Sequence, residues 1–556
     1  MRELRRWLLV PVLAAVAALT GCVGIPSSGP VQAGDVVGDA APPDFEVLPD
    51  GPTPGSDPLT LLSDFMQAVR SPANNFAIAH EFMTPAMAEQ WNPNAATWVR
   101  RGGAEITPGA GNDLVYSFTS SSLVDERGRF TLTPPTSQVF TFSFEQVGGE
   151  WRISSAPPGI VLTQNSFDVV FKPVSLYFFD PGFEFLVPDV RWVPIRARVN
   201  DRVVRLLLEG PAEWLAQSVI NEFPDGSALA PEGVVVNGST ATVALSAEAA
   251  QADAEQLARM RQQLAVTLGV ATVELSFGGG VGTSGPASSA LVDPQVDGTV
   301  LVGTGSAFGF ASGDEVLPVG TLSSRIVAAG ADAVTLLGQR VAALRADGVL
   351  YRGEAGSDGL TALDPALPEP LPPSIDPYGF VWAVPASSAA GLTVYGPDGL
   401  GEALPNGLPV DARVVSLDVS RDGTRLLVSF INTVGQPELW IYGIVRGQDG
   451  VPVALGSGLP LLLTTTPIDA AWVDESNVVV LAGDGGEATV TAFEVGGPST
   501  NLGTVAGAVQ VVGGNQGTDG IRVLTADGDV LQTRGRTWQS TGITAAFLGV
   551  QQGRDR

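Results

Sequence analysis

Between residues 58 and 162 the apolar positions first follow a helical period. Asp57-Pro58 predicts a helix start, because aspartate caps a helix N-terminus and proline suits the first turn. The residues that follow place apolar side chains on one helical face: Leu62, Phe65, Met66 and Val69. The period continues through Asn75–Trp91, which predicts a second helical stretch.

Alternating apolar positions follow these helices and predict strands. Leu114–Phe118 is one such run, and a stripe of Phe140, Phe142 and Phe144 is another. Gly148-Gly149 then predicts a two-residue hairpin turn. Helices followed by a curved antiparallel sheet predict an α+β domain, and this order resembles NTF2-like and cystatin-like domains. The phenylalanine stripe has two interpretations, the core face of the sheet or the lining of a ligand cleft.

Residues 163–280 predict a second α+β domain. Val174–Phe179 has the apolar character of a strand, and a helix over residues 203–209 ends at Gly210-Pro211, because glycine stops a helix and proline cannot continue it. Asn237-Gly238 lies between two apolar runs and predicts a hairpin. A helix and a closing strand complete the domain, marked by Leu257, Met260, Leu264 and Leu268, then by Val270–Phe277.

The helical period disappears after a linker that is rich in Gly, Ser and Pro, residues 281–299. From 300 to 556 short β runs recur with Asp-Gly turns between them. Five units can be distinguished: 343–351, 379–384, 417–428, 469–481 and 523–531. Their starts lie about 35 to 55 residues apart, close to the roughly 40 to 50 residues of a propeller blade. Residues 300–556 therefore predict an all-β propeller of about six blades, with a pair of β-sandwiches as the alternative.

The N-terminus has the order of a lipoprotein signal peptide. Three arginines among the first six residues precede an apolar run, Trp7–Leu19, which at about 13 residues is shorter than the roughly 20 of a membrane-spanning helix. We expect residues 1–21 to be cleaved off between Gly21 and Cys22, and Cys22 to carry a diacylglyceryl group and a palmitate-type chain. Residues 22–57 are rich in Pro, Gly, Asp and Ser and predict a flexible tether. The chain is thus expected on the outer face of a bacterial cytoplasmic membrane.

The composition argues against several kinds of site. Cys22 is the only cysteine, His80 the only histidine and Lys172 the only lysine. A zinc site needs three or four His or Cys ligands, and a Walker loop needs a lysine after its glycines. The net charge of −28 argues against nucleic acid, whose binding depends on basic patches. We therefore predict a chain that is not an enzyme and has no metal or cofactor.

Three features with apparent chemistry have structural alternatives. Gly280–Gly285 fits the dinucleotide pattern G-x-G-x-x-G, but Pro286 follows where that site needs a helix N-terminus. His80 is either a general base or a polar residue beside a packed helix face. The aspartates next to glycine in the last domain are either a carboxylate pair for hydrolysis or the residues of repeated turns.

The order of motifs resembles the LpqB family of actinobacterial lipoproteins over essentially the whole chain. The motifs that carry this resemblance are the lipobox Leu19–Cys22 with Val23–Pro30, then Leu206–Pro211, Phe223–Gly226 and Val243–Ser246. The last three are similar to the GerMN module of sporulation and germination proteins, and the final domain resembles the family's β-propeller. The C-terminal repeats are degenerate, so their blade number is less well defined.

The resemblance implies a regulatory role. Lipoproteins of this family are thought to bind the extracytoplasmic domain of the sensor kinase MtrB and to modulate the MtrA–MtrB two-component system, with effects on cell-wall homeostasis and division. Two alternatives stay open: a module that binds cell-wall glycan such as peptidoglycan, and a hydrolase that uses paired carboxylates.

Overall fold

Helices precede strands in the first domain of the computed structural model, which describes residues 49–280, 282–313, 315–447, 449–514 and 517–553. Helix α1 (Pro58–Ala68) begins where the sequence predicts it. The Asp57 carboxylate accepts a hydrogen bond from the backbone N–H of Thr60 at 2.9 Å, which satisfies a donor that the first helical turn leaves open.

The predicted second helix, Asn75–Trp91, is wrong as a continuous element. It is divided into α2 (Ala77–His80) and α3 (Pro85–Gln90). Thr84 starts the second piece, because its hydroxyl accepts a hydrogen bond from the N–H of Met87 at 3.2 Å. The proline that follows Thr84 has no N–H to continue the preceding helix, which explains the break.

The helices pack on one face of a five-stranded sheet. The strands are β1 (Ala96–Pro108), β2 (Leu114–Asp125), β3 (Phe130–Val147), β4 (Glu150–Ser155) and β5 (Ile160–Thr163), in the order β4-β3-β2-β1-β5. Phe142 and Phe144 are buried in the core between this sheet and α1, and the Phe142 ring lies 6.0 Å from that of Phe65. The phenylalanine stripe is therefore the core face of the sheet.

The middle domain contains two three-stranded sheets and two long helices. Its elements are α4 (Gln164–Val170), β6 (Phe171–Phe179), β7 (Phe185–Pro194), α5 (Val199–Glu209), β8 (Leu229–Asn237), β9 (Thr240–Leu245), α6 (Ala254–Leu268), β10 (Thr272–Phe277) and β11 (Leu291–Val292). The sheets have the orders β10-β9-β8 and β11-β7-β6, and α5 and α6 share one apolar core with them. The two helices end at Gly210 and Gly269, as glycine at a helix C-terminus predicts.

The segment between the middle domain and the propeller packs against the middle domain. Its short strand β11 pairs in parallel with β7. The Gln262 side chain on α6 bonds both the N–H and the carbonyl of Ala290, at 3.2 and 2.7 Å. Part of the predicted linker is thus held along the second domain.

The described strands after residue 300 form six four-stranded blades. Blade one combines β35 (Phe547–Gln552) with β12 (Leu301–Gly303), β13 (Phe308–Ser312) and β14 (Glu315–Pro318). Blade two is β15 (Ala331–Leu337), β16 (Val341–Ala346), β17 (Val349–Glu354) and β18 (Leu360–Ala362). Blade three is β19 (Ser374–Ile375), β20 (Val381–Ala383), β21 (Thr393–Tyr395) and β22 (Gly401–Ala403).

The other three blades follow in chain order. Blade four is β23 (Arg413–Val419), β24 (Arg425–Ile431), β25 (Pro437–Arg446) and β26 (Pro452–Leu461). Blade five is β27 (Pro467–Trp472), β28 (Asn477–Ala482), β29 (Glu487–Glu494) and β30 (Ser499–Ala506). Blade six is β31 (Ala508–Val512), β32 (Arg522–Thr525), β33 (Asp529–Arg534) and β34 (Thr537–Thr544). Helix α7 (Leu322–Ala328) connects blades one and two.

The ring is closed by β35, which completes the blade that the first propeller strands began. Its first half pairs antiparallel with β12, and its second half pairs in parallel with β15 of blade two. The inner strands β15, β19, β23, β27, β31 and β35 contact one another in sequence around the axis. The prediction of a propeller of about six blades is confirmed, and the sandwich alternative is wrong.

Candidate functional site

The predicted lipidation and cleavage residues, Cys22 and Gly21, lie outside the described residues. His80 is described, and its environment favours the structural interpretation. Its Nδ1 lies 3.0 Å from the carbonyl oxygen of Ala88, and its ring packs edge-on against Trp91 at 5.2 Å. The histidine thereby joins α2 to α3.

The glycine-rich loop after β10 leads into no helix within the described residues. Thr283 instead bonds back to Leu275 through two backbone hydrogen bonds of 2.8 and 3.1 Å, and Pro286 follows in irregular backbone. A dinucleotide site presents helix N-terminal amides to a pyrophosphate, and this loop has none to present. The part of the chain that the structure describes also has no cluster of three or more His, Cys, Asp or Glu side chains that could hold a metal ion.

The two ends of the propeller axis differ in what covers them. The hairpins that lead from the inner to the second strand of blades three and five, together with one outer hairpin of blade five, contact the middle domain, and we call this end the docked face. The opposite end, where each blade connects to the next, is the open face. Asp422-Gly423 forms the corresponding hairpin of blade four at the docked face, and Asp347-Gly348 and Asp527-Gly528 form open-face hairpins.

One contact on the docked face is a chain of buried polar groups. The Tyr378 hydroxyl donates to the Asp180 carboxylate of the middle domain. Arg446 lies over the Tyr378 ring at 4.4 Å and forms a 2.6 Å ion pair with Asp376, and both side chains of this pair are at most 1% exposed. Burial raises the pKa of Asp180, although Tyr378 and three backbone N–H groups donate to its carboxylate.

A second polar contact lies on the next two blades. The Tyr177 hydroxyl of the middle domain donates to Glu475 Oε1 at 2.7 Å. The Arg425 guanidinium donates to the Glu475 carbonyl at 2.7 Å, lies over the Trp472 ring at 4.7 Å and pairs with Asp422. Burial alone raises the pKa of Asp422, but Arg425 and neighbouring hydroxyls outweigh it and hold that pKa below its usual range.

The middle domain meets the first domain through aromatic side chains instead. Phe130, Phe167, Phe171 and Trp192 are all buried, with neighbouring ring centroids 5.0 to 6.0 Å apart. Gly128 lets the two backbones approach, because its φ is +75° and a Cβ there would lie 2.8 Å from the Trp192 carbonyl oxygen. The Trp192 indole also donates to the Gly496 carbonyl of blade five at 3.0 Å, so all three domains meet at this residue.

A cavity of about 280 Å³ runs along the propeller axis from the open face. It is lined mainly by the starting halves of the inner strands, the ends that adjoin the blade-to-blade connections. Polar side chains among them are Asp332, Thr335, Arg345, Ser374, Ser416, Asp418, Asp469 and Gln510. No sequence pattern singles out this set, because its members belong to different blades.

Several of these polar side chains bond the inner strands of neighbouring blades together. Ser374 accepts from the N–H of Val419, Asp418 from the N–H of Trp472, and Asp469 from the N–H of Val511, at 3.1, 3.0 and 2.9 Å. Gln510 continues the series with two hydrogen bonds to the backbone of Leu548. Inner strands of neighbouring blades form no continuous sheet with each other, so some of their backbone N–H and C=O groups lack a backbone partner. These side chains provide partners for them.

Asp418 and Asp469 line the channel, where their carboxyl groups are largely removed from bulk water. Burial raises the pKa of Asp418 to about 6, against hydrogen bonds from Trp472 and Ser374 that lower it. Burial likewise raises the pKa of Asp469 to about 7, and the nearby Asp418 adds to the shift. Burial thus opposes the ionisation of both carboxyl groups.

Family models match three consecutive parts of the chain. "Lipoprotein LpqB, N-terminal domain" matches residues 51–168, "Sporulation and spore germination" matches 175–281, and "Lipoprotein LpqB beta-propeller domain" matches 309–545. "Lipoprotein LpqB" of Mycolicibacterium smegmatis is 27% identical over 95% of this chain and 96% of its own length. The chain belongs to the LpqB lipoprotein family.

Other LpqB relatives align over less of their length. The chain spans about two fifths of several of them, as in LpqB of Rhodococcus jostii, which is 32% identical over 42% of this chain and 39% of the relative. Among solved structures, TolB from Acinetobacter baumannii has a TM-score of 0.29 and 13% identity over 46% of this chain and 64% of its own. Within the residues that the structure describes for this LpqB chain, no helix has both the length and the apolar character to cross a membrane.

Proposed function

We propose that this member of the LpqB family is a membrane-anchored lipoprotein that binds the extracytoplasmic domain of a two-component sensor kinase of the MtrB type and modulates its output. The anchor is a lipid on Cys22, and the body stands on the outer face of the cytoplasmic membrane. Family membership and the lipoprotein signal at residues 1–21 support this role.

The proposal is supported by a difference between the two propeller faces: one contacts the middle domain and the other does not. The docked face contacts the middle domain through the Tyr378 and Tyr177 networks, whereas no such contact is formed by the open face within the described residues. The open face exposes apolar side chains at its rim, with Val410, Val434 and Val509 exposed by 63, 75 and 46%. Exposed apolar groups beside a channel mouth are typical of surfaces that bind proteins.

Binding is tested with the full lipidated chain in nanodiscs and the purified outer domain of the kinase. We expect saturable binding in the micromolar range or tighter, and Val434→Glu to weaken it by about tenfold or more, because a charge at a buried interface position loses its hydration. Val147→Glu is the matched control, since Val147 is 41% exposed on the first domain. The proposal is contradicted if the kinase domain fails to bind at about 100 µM.

The anchor is tested separately. The mature chain should carry its lipid on Cys22 by mass spectrometry, and Cys22→Ser should move the chain from the membrane fraction to the soluble fraction, because one covalent lipid group holds it. A bare thiol on Cys22 in mature chains, or a serine variant that stays with membranes, would contradict the anchoring proposal.

The two other candidate functions have less support. A glycan-binding face usually presents aromatic rings, yet among the described residues the strongly exposed large apolar side chains are all aliphatic. A hydrolase needs two carboxylates that face an open substrate site. Asp418 and Asp469 both line the channel, but each one bonds a backbone N–H of the next blade. We therefore propose a binding protein and not an enzyme.

A further inference from the structure

A groove between the sheet of the first domain and the start of α4 is lined by arginines and small polar side chains. Its volume is about 370 Å³. We call it the arginine groove, and the side chains that line it are those of Arg100, Arg101, Ser121, Thr163, Gln164 and Asn165. This lining includes no carboxylate, whereas four other cavities in the described chain each include at least one aspartate. The groove is thus locally cationic in a chain with 58 acidic and 30 basic side chains.

Bulges in β1 and β2 bring the two arginines to the same side of the sheet. Adjacent residues of a regular strand point to opposite faces, yet Arg100 and Arg101 both line this groove. The register of β1 against β2 shifts immediately before Arg100 and again immediately after Arg101, where Gly102 adopts a φ of +73°. Ser121 is skipped in the pairing of β2 with both β1 and β3. Bulges re-aim side chains, which explains how neighbouring residues converge on one site.

The groove contains hydrogen-bond donors that the protein itself leaves open. The ion pairs of the described chain include neither Arg100 nor Arg101. Arg100 donates through Nη1 to the Gly102 carbonyl, and its other guanidinium N–H groups have no protein acceptor there. The side chains of Ser121 and Asn165 also form no hydrogen bond within the described residues. Two guanidinium groups with a hydroxyl and an amide beside them suit an oxyanion.

The surface beside the groove adds an exposed apolar side chain and another cation. Val169 lies one helical turn after Asn165 on α4 and is 73% exposed. Lys172, the only lysine of the sequence, donates to the backbone carbonyl of Asp168 at 3.2 Å and so lies beside the same turn. The Asp168 carboxylate accepts a hydrogen bond from the Gln164 amide at 2.8 Å. Cations around an exposed apolar side chain favour contact with an anionic membrane surface.

We propose that the arginine groove binds the phosphate group of an anionic phospholipid headgroup, and that this contact determines which side of the first domain faces the membrane. Guanidinium groups bind phosphate oxygens through parallel N–H donors, and Ser121 and Asn165 donate to the remaining oxygens. The net charge of −28 opposes general adsorption to an anionic surface. A single cationic site therefore selects one orientation of a chain that its anchor already holds at the membrane.

The lipid anchor keeps the groove close to phospholipid headgroups. Residues 23–48 separate Cys22 from the first described residue, Pro49, and a stretch of this length spans at most about 95 Å. Headgroups within that reach are present at a high effective concentration, so weak binding by one site is sufficient. The anchor belongs to the proposed function, whereas the recognition of phosphate depends on the groove alone.

The groove is tested by arginine-specific labelling of the full lipidated chain in nanodiscs. Phenylglyoxal reacts with accessible guanidinium groups, and mass spectrometry quantifies each position. Nanodiscs of phosphatidylcholine alone are compared with nanodiscs that also contain phosphatidylglycerol. We expect phosphatidylglycerol to slow the labelling of Arg100 and Arg101 about fivefold, because a basic side chain at an anionic surface gains about that factor in binding.

Arg534 and Arg536 are the internal control, because they form a second exposed arginine pair at a hairpin of blade six. Their labelling should be the same in both kinds of nanodisc. Equal labelling of Arg100 and Arg101 in the two kinds, or equal slowing at the control pair, would overturn the proposal.

A variant that fills the groove with a carboxylate gives a second readout. Asn165 is exposed in the first turn of α4, where an acidic side chain is tolerated, so Asn165→Asp should fold normally. We expect this variant to lose most of the effect of phosphatidylglycerol on Arg100 and Arg101. Asn501→Asp, on the outer strand of blade five, is the matched control and should keep that effect. A full effect in Asn165→Asp would refute the groove as the binding site.

Two further arms distinguish the sources of phosphate and separate this proposal from the proposed function. Inorganic phosphate is added to the phosphatidylcholine nanodiscs, and short-chain dihexanoyl phosphatidylglycerol is added to the mature Cys22→Ser chain in solution. Slower labelling with inorganic phosphate but not with phosphatidylglycerol would assign the groove to a soluble anion and overturn the proposal. Slower labelling of the Cys22→Ser chain supports the groove even if the native chain proves to carry no lipid. No slowing in either lipid arm, together with binding of the kinase domain, would leave the regulatory role in place and refute the groove.

Discussion

The middle domain forms one interface with the first domain and another with the propeller, and the two differ in chemistry. We call the first the aromatic seam and the second the polar seam. Toward the first domain it presents the rings of Phe167, Phe171 and Trp192, which pack against Phe130 of that domain. Toward the propeller it presents Tyr177, which donates a hydrogen bond to Glu475, and Asp180, which accepts one from Tyr378. Burial of rings gains free energy in proportion to apolar area and depends weakly on orientation. A buried ion pair adds little net free energy of folding, but removal of one partner is strongly destabilising because the other charge stays buried and unpaired. Such pairs also require a well-defined geometry.

This difference suggests a division of roles between the two seams. The aromatic seam holds the first and second domains together and tolerates small changes in shape. The polar seam fixes how the middle domain is oriented on the propeller, because the Tyr177 and Tyr378 hydroxyls each donate to a carboxylate of the other domain. We infer that the orientation of the open face relative to the middle domain is set by a few hydrogen bonds and ion pairs.

The largest expected effect comes from breaking the polar seam. Arg446→Met leaves Asp376 as an uncompensated buried charge, so we expect the free energy of unfolding to fall by about 3–5 kcal/mol. Urea unfolding followed by tryptophan fluorescence measures this change. Arg129→Met is the matched control, because Arg129 and Asp125 form an ion pair whose side chains are 35 and 30% exposed. That variant should lose roughly 0–1 kcal/mol, and a similar loss in both variants would refute the special weight given to the buried pair.

A smaller effect is expected at the aromatic seam. Phe167→Leu keeps an apolar side chain among Phe130, Phe171 and Trp192 but removes part of a buried ring, so we expect a loss of about 1–2 kcal/mol in the same assay. The orientation of the middle domain on the propeller should also be unchanged, as judged by hydrogen exchange at residues 473–476. A loss as large as that of Arg446→Met would remove the proposed contrast between the seams.

The smallest effect concerns pH. Burial raises the pKa of Glu475 in the folded chain above its ordinary value. The folded state therefore binds this proton more tightly than the unfolded state, so the associated stability is present below about pH 4.3 and is lost as the pH rises through the raised pKa. Glu475→Gln keeps an acceptor for Tyr177 and should flatten the fall in stability as the pH rises above about 4.3.

Glu402→Gln serves as the control for the pH experiment, because Glu402 is exposed on the outer strand of blade three. Its stability profile should match that of the unchanged chain. A Glu475→Gln profile that also matches would show that Glu475 contributes nothing to the pH response of this seam.

Local patterns in the sequence predicted the elements well. Asp57-Pro58 starts α1, Gly148-Gly149 turns between β3 and β4, and Asp527-Gly528 turns between β32 and β33. Asn237-Gly238 gave the right hairpin, but Asn237 pairs with Thr240, so the two-residue turn is shifted by one position. These features depend on neighbours in the chain, which is why periodicity and turn chemistry find them.

Long-range features escaped the same analysis. Asp422 was interpreted as a turn residue, yet its side chain pairs with Arg425 in a network completed by Tyr177 from another domain. The five repeats found in the sequence correspond to blades two to six. Blade one was missed because its inner strand, β35, is separated from its other three strands by most of the propeller.

Closure of the ring by β35 also sets the order in which the propeller is completed during synthesis. Gln551 bonds the carbonyl of Thr299, a residue made 252 positions earlier. Until the final strand emerges, the edge of β12 keeps its backbone groups unpaired, and such edges attract strands of other nascent chains. A substitution that weakens β35 would therefore reduce the yield of folded protein in cells more than its effect on the finished molecule suggests.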